Sequence, residues 1–136
     1  MNQYLTSIAQ RALGLKLLIL AASSLLASPV WADGDVANGE KIFKKCAACH
    51  TATEKTNKVG PYLLGVVGRP IASAENYQYS DAMKQYAASA KTWDEEKLNV
   101  YLENPRSVVH GTKMVFPGLK KPEDRADLIA YLKSRM

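Results

Sequence analysis

Cys46-Ala47-Ala48-Cys49-His50 constrains this chain more than any other stretch. Two cysteines three apart lie on one face of a helical turn, and a histidine follows the second directly. The pattern C-x-x-C-H reads as a c-type haem attachment site. Chemistry explains the spacing. Each thiol adds across one vinyl group at a single porphyrin edge, giving two thioether links, and the imidazole then lies beneath the ring where it can bind the iron. Two alanines between the cysteines leave the ring edge room to approach the backbone. A structural zinc site would need about four Cys and His ligands. The chain holds two Cys and two His in total, and the two His, His50 and His110, are far apart in sequence. A thioredoxin-like redox pair belongs beside a βαβ pattern, and none is visible. A plain disulfide leaves His50 without a role. The expected cofactor is one covalent haem c, which by itself says little about the task.

The first 32 residues contain no acidic residue and only two basic ones, Arg11 and Lys16. Leu17 to Ala27 is an unbroken apolar and small run, and Val30-Trp31-Ala32 offers modest side chains at cleavage-type positions. This is the pattern of a secretory signal peptide. The run is short for a membrane anchor, which takes about 20 apolar residues, and Pro29 follows soon after. The expectation is a signal peptide over 1–32, cleaved after Ala32, and a domain over 33–136. An uncleaved anchor is the rival. The expected location is the periplasm, with no stable membrane insertion after cleavage.

The 104 residues that follow make one small domain with a limited core of its own. A covalent haem would supply a large apolar filler. Without Arg11 and Lys16 the domain has 16 basic and 13 acidic residues, a net of +3. No basic run exceeds two residues, so no nucleic-acid partner is expected.

Asp33-Gly34-Asp35 can cap a helix, and Val36, Gly39, Ile42, Phe43 and Cys46 follow at helical spacing. Gly39 on that apolar face suggests close approach by another helix. From Thr51 to Gly68 the chain reads as loop, suited to wrapping a cofactor. Ser80-Asp81 caps a short helix to about Ala88. Thr92-Trp93-Asp94-Glu95 has a capping-box pattern before Leu98, Tyr101 and Leu102, and Pro105 stops that helix. Val109 to Lys121 is loop again. Pro122 suits the first position of a last helix, with Glu123 and Asp124 at its positive end, Lys133 and Arg135 at its negative end, and a stripe of Leu128, Ile129, Tyr131 and Leu132. The expected class is all-α, single-domain, with three main helices plus short helices and loops around one haem.

An iron held by His50 has a second axial position, open to a methionine, His110, a lysine or water. Met136 is the last residue. Met83 falls in a helical stretch, where core filling is the usual role of methionine. Met114 lies in Gly111-Thr112-Lys113-Met114-Val115-Phe116-Pro117-Gly118, a loop bounded by glycines, where a ligand role is more natural.

Taken together, Gly34-Asp35-Val36, the Cys46 to His50 motif, Gly60-Pro61, Tyr101-Leu102-Glu103-Asn104-Pro105, Gly111-Thr112-Lys113-Met114 and Arg125 to Lys133 make the chain resemble a class I cytochrome c of the mitochondrial type, a group that includes bacterial periplasmic electron carriers. The resemblance covers nearly all of Gly34 to Lys133. It implies His50 and Met114 as axial ligands, with the Pro61 carbonyl accepting from His50. It implies Tyr101 near the Met114 sulfur, Tyr79 and Trp93 donating to a haem propionate, and Arg69 and Thr112 nearby. It implies Gly39 and Phe43 packed on Tyr131 where first and last helices cross. The chain departs from the family at Met83, where the mitochondrial proteins carry a buried Asn, and at His110, a position often held by Pro.

The function implied is a one-electron carrier, not an enzyme, working as a monomer between a quinol-oxidising cytochrome bc-type complex and a terminal oxidase, a reaction centre or another acceptor. Lys45, Lys58, Arg106, Lys113, Lys120 and Lys121 would ring the exposed haem edge and meet acidic patches on those partners. The alternative class is a haem enzyme of peroxidase type or a ligand sensor, both of which need an open iron position.

Overall fold

A computed structural model of the chain describes residues 33–136; the signal-peptide expectation over 1–32 lies outside the described residues. Among these described residues five helices follow in order: α1 (Val36–Phe43), α2 (Asp81–Ala90), α3 (Glu95–Glu103), α4 (Pro105–Val108) and α5 (Pro122–Lys133). Among the described residues the only strand-like pairing is one antiparallel bridge between Pro70 and Thr92. The all-α expectation holds, and among the described residues no helix is long and apolar enough to cross a membrane.

The frame is the crossing of α1 and α5. Asp35 starts α1, its carboxylate accepting from the amides of Ala37 at 2.8 Å and Asn38 at 3.1 Å. Gly39 then lets the two backbones meet: a Cβ there would sit 2.0 Å from the Asp127 carbonyl oxygen and 2.8 Å from the Tyr131 Cβ. Asp127 pins the crossing, accepting from the Asp35 amide and from Asn38 Nδ2, each at 2.7 Å. One turn on, the Phe43 and Tyr131 rings stand 5.3 Å apart. The close packing expected of Gly39 and Phe43 is present.

Four details differ from the sequence reading. Val36 is 44% exposed rather than part of the buried face, because it occupies the first helical position, beside the cap. Helix α1 closes at Phe43, and the cysteines lie on hydrogen-bonded turns beyond it. Helix α3 is capped by Asp94, which accepts from the Lys97 amide at 2.7 Å; Thr92 is diverted to the bridge with Pro70. Pro105 ends one helix and begins another, with Asn104 capping α4.

Helix α5 buries Leu128, Ile129, Tyr131 and Leu132 as expected, and also Arg125. Leu98 and Leu102 of α3 are buried in the same core as Leu128. A row of rings joins α2 to α3: Tyr86 to Trp93 at 5.8 Å and Trp93 to Tyr101 at 4.9 Å.

Candidate functional site

The attachment motif continues the path of α1 as a tightened helical turn. The Cys46 amide donates to the Phe43 carbonyl at 2.7 Å, and the amides of Cys49 and His50 both donate to the Cys46 carbonyl, at 3.0 and 2.9 Å. Both cysteines are free thiols and half-buried. Burial pushes the Cys46 thiol up to about 11, against the pull of the neighbouring Lys45 ammonium and with a small push from Cys49.

His50 Nδ1 lies 2.7 Å from the Pro61 carbonyl oxygen. A carbonyl can only accept, so the proton belongs on Nδ1 and Nε2 presents a lone pair. Burial lowers the His50 pKa; the bond to Pro61 opposes that, and the Lys58 ammonium adds to it. A neutral imidazole with its far nitrogen tied to a backbone carbonyl is the form in which a histidine binds metal. Gly60 makes the fit possible. A Cβ there would stand 2.3 Å from His50 Cε1, and the Gly60 amide donates to the Cys49 carbonyl at 2.8 Å.

The loop over 109–121 carries Met114. Tyr101, buried on α3, donates its hydroxyl to Met114 Sδ at 3.5 Å. Thr112 Oγ1 accepts from the Met114 amide at 3.2 Å. Burial raises the Tyr101 pKa, so the phenol keeps the proton it donates. Met83 is buried on α2, Met136 is 86% exposed, and His110 is exposed.

A string of contacts joins the two halves. Pro61 holds His50. Its neighbour Tyr62 accepts from Arg69 Nη2 at 2.9 Å, and Leu64 accepts from Nη1 at 3.0 Å. The Arg69 carbonyl accepts from the Trp93 amide at 2.9 Å, the Trp93 ring meets Tyr101, and Tyr101 meets Met114. Tyr79 stands apart from this string, its hydroxyl accepting from the Ala74 amide at 3.1 Å while burial raises its pKa. Lys45, Lys58, Arg106, Lys113, Lys120 and Lys121 are all exposed. Lys58 Nζ rests on the Ala47 carbonyl at 2.8 Å and Lys120 Nζ on the Glu103 carbonyl at 2.7 Å.

These residues fit a covalent haem. Two thiols share one turn with a histidine whose second nitrogen is available, and a thioether is fixed by a hydroxyl on the other limb. Arg69 Nε is buried with no partner, which suits an anionic group such as a propionate. Among the described residues no group of three or more His, Cys, Asp and Glu could hold a metal ion.

The sequence reading missed several supports. Asn57 donates to the Glu75 carbonyl at 2.8 Å and accepts from the Tyr62 amide at 3.1 Å, and Tyr77 donates to the Val59 carbonyl at 3.0 Å. Together they lace 57–62 to 75–77. Nothing in their spacing marks them, because the bonds from Asn57 to Glu75 and from Tyr77 to Val59 join two loops. Gly60 had one signal, its place before Pro61.

Known proteins bear on the same residues. The family model described as Cytochrome c matches residues 36–135. The chain is 48% identical over 120 residues to cytochrome c2 of Rhodomicrobium vannielii, covering 87% of this chain and 93% of that one. It is 55% identical over 102 residues to cytochrome c of Chlamydomonas reinhardtii, covering 74% and 88%. Among solved structures, cytochrome cH from Methylobacterium extorquens superposes with a TM-score of 0.68 at 49% identity, over 74% of this chain and 99% of that one.

Proposed function

The chain belongs to the cytochrome c family, and from that premise we propose that it is a one-electron carrier whose haem is attached through Cys46 and Cys49 and whose iron is held by His50 and Met114. The haem supplies an iron that gains or loses one electron. What the protein supplies is a fixed surrounding. Pro61 orients His50 through Nδ1, and Gly60 leaves its ring the room to stay there. Tyr101 directs its O–H at Met114 Sδ and so orients the lone pairs of that sulfur. The neutral thioether favours the lower-charged iron, which raises the reduction potential. Arg69 would offer Nε to a propionate, and Tyr79 and Trp93 would donate to the same group with Thr112 nearby.

The observation that carries this reading is the pair of prepared ligands: an imidazole with Nδ1 occupied, and a loop methionine with its sulfur already engaged by a buried hydroxyl. An oxygen-activating or sensing haem needs an open position, which Met114 would fill. Export to the periplasm, removal of 1–32 and work between a cytochrome bc-type complex and an oxidase or reaction centre belong to the same proposal. It is supported by the leader-like sequence and by the kinship with cytochrome c2.

Met114→Ala tests the ligand set. Loss of the sulfur-to-iron charge-transfer absorption in the ferric protein, with rapid carbon monoxide binding once reduced, is expected. Survival of that absorption would remove Met114 from the iron.

A further inference from the structure

Arg125 is 5% exposed, on the face of α5 that otherwise carries Leu128, Ile129, Tyr131 and Leu132. A guanidinium cannot shed its charge, and a buried charge is tolerated only where its N–H groups find acceptors. Nε donates to Asn99 Oδ1 at 2.7 Å. Nη1 donates to the Leu119 carbonyl at 2.8 Å and to the Lys120 carbonyl at 3.1 Å. Nη2 lies 3.9 Å from the Glu103 carboxylate. One side chain thus bonds to α3 and to the limb by which the Met114 loop returns to α5.

The same limb is stitched to α3 along its other edge. The Leu119 amide donates to the Leu102 carbonyl at 2.7 Å, and Lys120 Nζ donates to the Glu103 carbonyl at 2.7 Å. Gly118 is pressed so closely there that a Cβ would stand 2.0 Å from the Glu103 oxygen. Helix α3 also carries Tyr101, whose hydroxyl meets Met114 Sδ. Leu119 comes only five residues after Met114, so any slip of the limb along α3 moves the sulfur away from that hydroxyl.

We propose that Arg125 is a positioning residue for Met114: by clamping the Leu119 and Lys120 carbonyls to Asn99 of α3, it holds the thioether in place and keeps the second axial position closed. This rests on the reading of Met114 as an iron ligand. The planar fork is needed because Asn99 is met by Nε and the two carbonyls by Nη1, whereas a lysine gathers its three donors on one nitrogen and has no rigid fork to span both sides.

The test uses the haem-loaded ferric protein with imidazole as the probe. Imidazole can bind only where the thioether has left, so its apparent affinity follows the population of the displaced state. Arg125→Lys is expected to bind imidazole about tenfold more tightly, the scale of a lost charge-assisted bond. Its Leu119 amide should exchange hydrogen about tenfold faster while the amides of α1 keep their protection. Asn99→Ala, which leaves Arg125 and its two loop bonds in place, should shift both readouts in the same direction by a smaller factor. Met114→Ala checks the underlying reading on its own: if it binds imidazole no better than the native protein, Met114 is not the ligand. If Met114→Ala binds tightly and Arg125→Lys behaves as native, the positioning role is wrong. It is equally wrong if Arg125→Lys speeds exchange in α1 as much as at Leu119, since Arg125 would then be a general brace.

Discussion

A carbonyl beside an imidazole decides which nitrogen keeps the proton, and a missing Cβ decides whether the ring can stay beside that carbonyl. Pro61 and Gly60 do these two things for His50. Gly60→Ala would place a methyl 2.3 Å from Cε1, closer than carbon atoms approach, and the obstruction on that side is a ring held by its Nδ1 bond to Pro61. The imidazole must swing and the 2.7 Å bond to Pro61 must stretch. Loss of an outer partner of a metal-binding histidine costs about tenfold or more in binding or activity. Thioether links would keep the haem on the chain whatever the imidazole does, so the effect falls on the His50–iron bond: haem-loaded Gly60→Ala is expected to lose that bond at a roughly tenfold lower acid concentration than the native protein, on that same scale. An acid titration followed in the haem absorbance measures this. A native midpoint would mean that His50 can be oriented without Pro61.

At the scale of elements, the α1–α5 crossing and the α3 cap fail in different ways. Gly39→Ala drives a Cβ to 2.0 Å from the Asp127 carbonyl oxygen, and that backbone is locked by Asp127 onto Asp35 and Asn38. Overpacking costs about 1–3 kcal/mol where side chains can shift; a backbone contact gives less, so a loss of about 3 kcal/mol is expected from the denaturant midpoint. Asp94→Ala removes a cap worth about 1 kcal/mol. The Lys97 ammonium and amide hold the Asp94 carboxyl below its ordinary value of 3.8. A depressed carboxyl stabilises the fold above its unfolded pKa and loses that contribution as pH falls through the folded one. The stability gap between native and Asp94→Ala proteins should thus be full at pH 7 and shrink below about 3.8, while the Gly39→Ala gap stays constant with pH. Helix existence was legible from apolar spacing, and the starts of α1, α2 and α5 from Asp35, Ser80 and Pro122. The cap of α3 was not, because Thr92 and Asp94 both suit the role and a bridge to Pro70, distant in sequence, chose between them. In the sequence Arg125 stands only as the first residue of the last motif; the fold shows that its acceptors come from two other segments.

Across the whole molecule, charge is unevenly placed. Asp33, Asp94, Glu95 and Glu96 rim a cleft of about 450 Å³ floored by Ala126, Ile129 and Ala130, where Lys133 is held by Glu95 at 2.6 Å. A smaller cleft of about 270 Å³ lies between Arg106, Asn104 and the Val115-Phe116-Pro117 tip of the Met114 loop. Val115 there is 85% exposed, and Lys113, Lys120 and Lys121 along the loop are exposed too. An apolar tip within a basic surround suits brief docking on an acidic partner, steered from a distance by opposite charge. Two substitutions separate local charge from net charge. Lys113→Glu and Lys133→Glu change the total equally, yet one acts at the loop and the other inside the acidic cleft. At low salt, Lys113→Glu should slow the second-order electron transfer to an acidic redox partner by about tenfold and flatten its dependence on ionic strength. Lys133→Glu should slow it less, since its site lies in an already acidic region, and the slowing should vanish at 0.15 M salt, where charge is screened beyond about 8 Å. Stopped-flow mixing over a salt series reads both rates. Equal slowing by the two variants would place docking elsewhere than the Met114 loop, because only net charge would then matter.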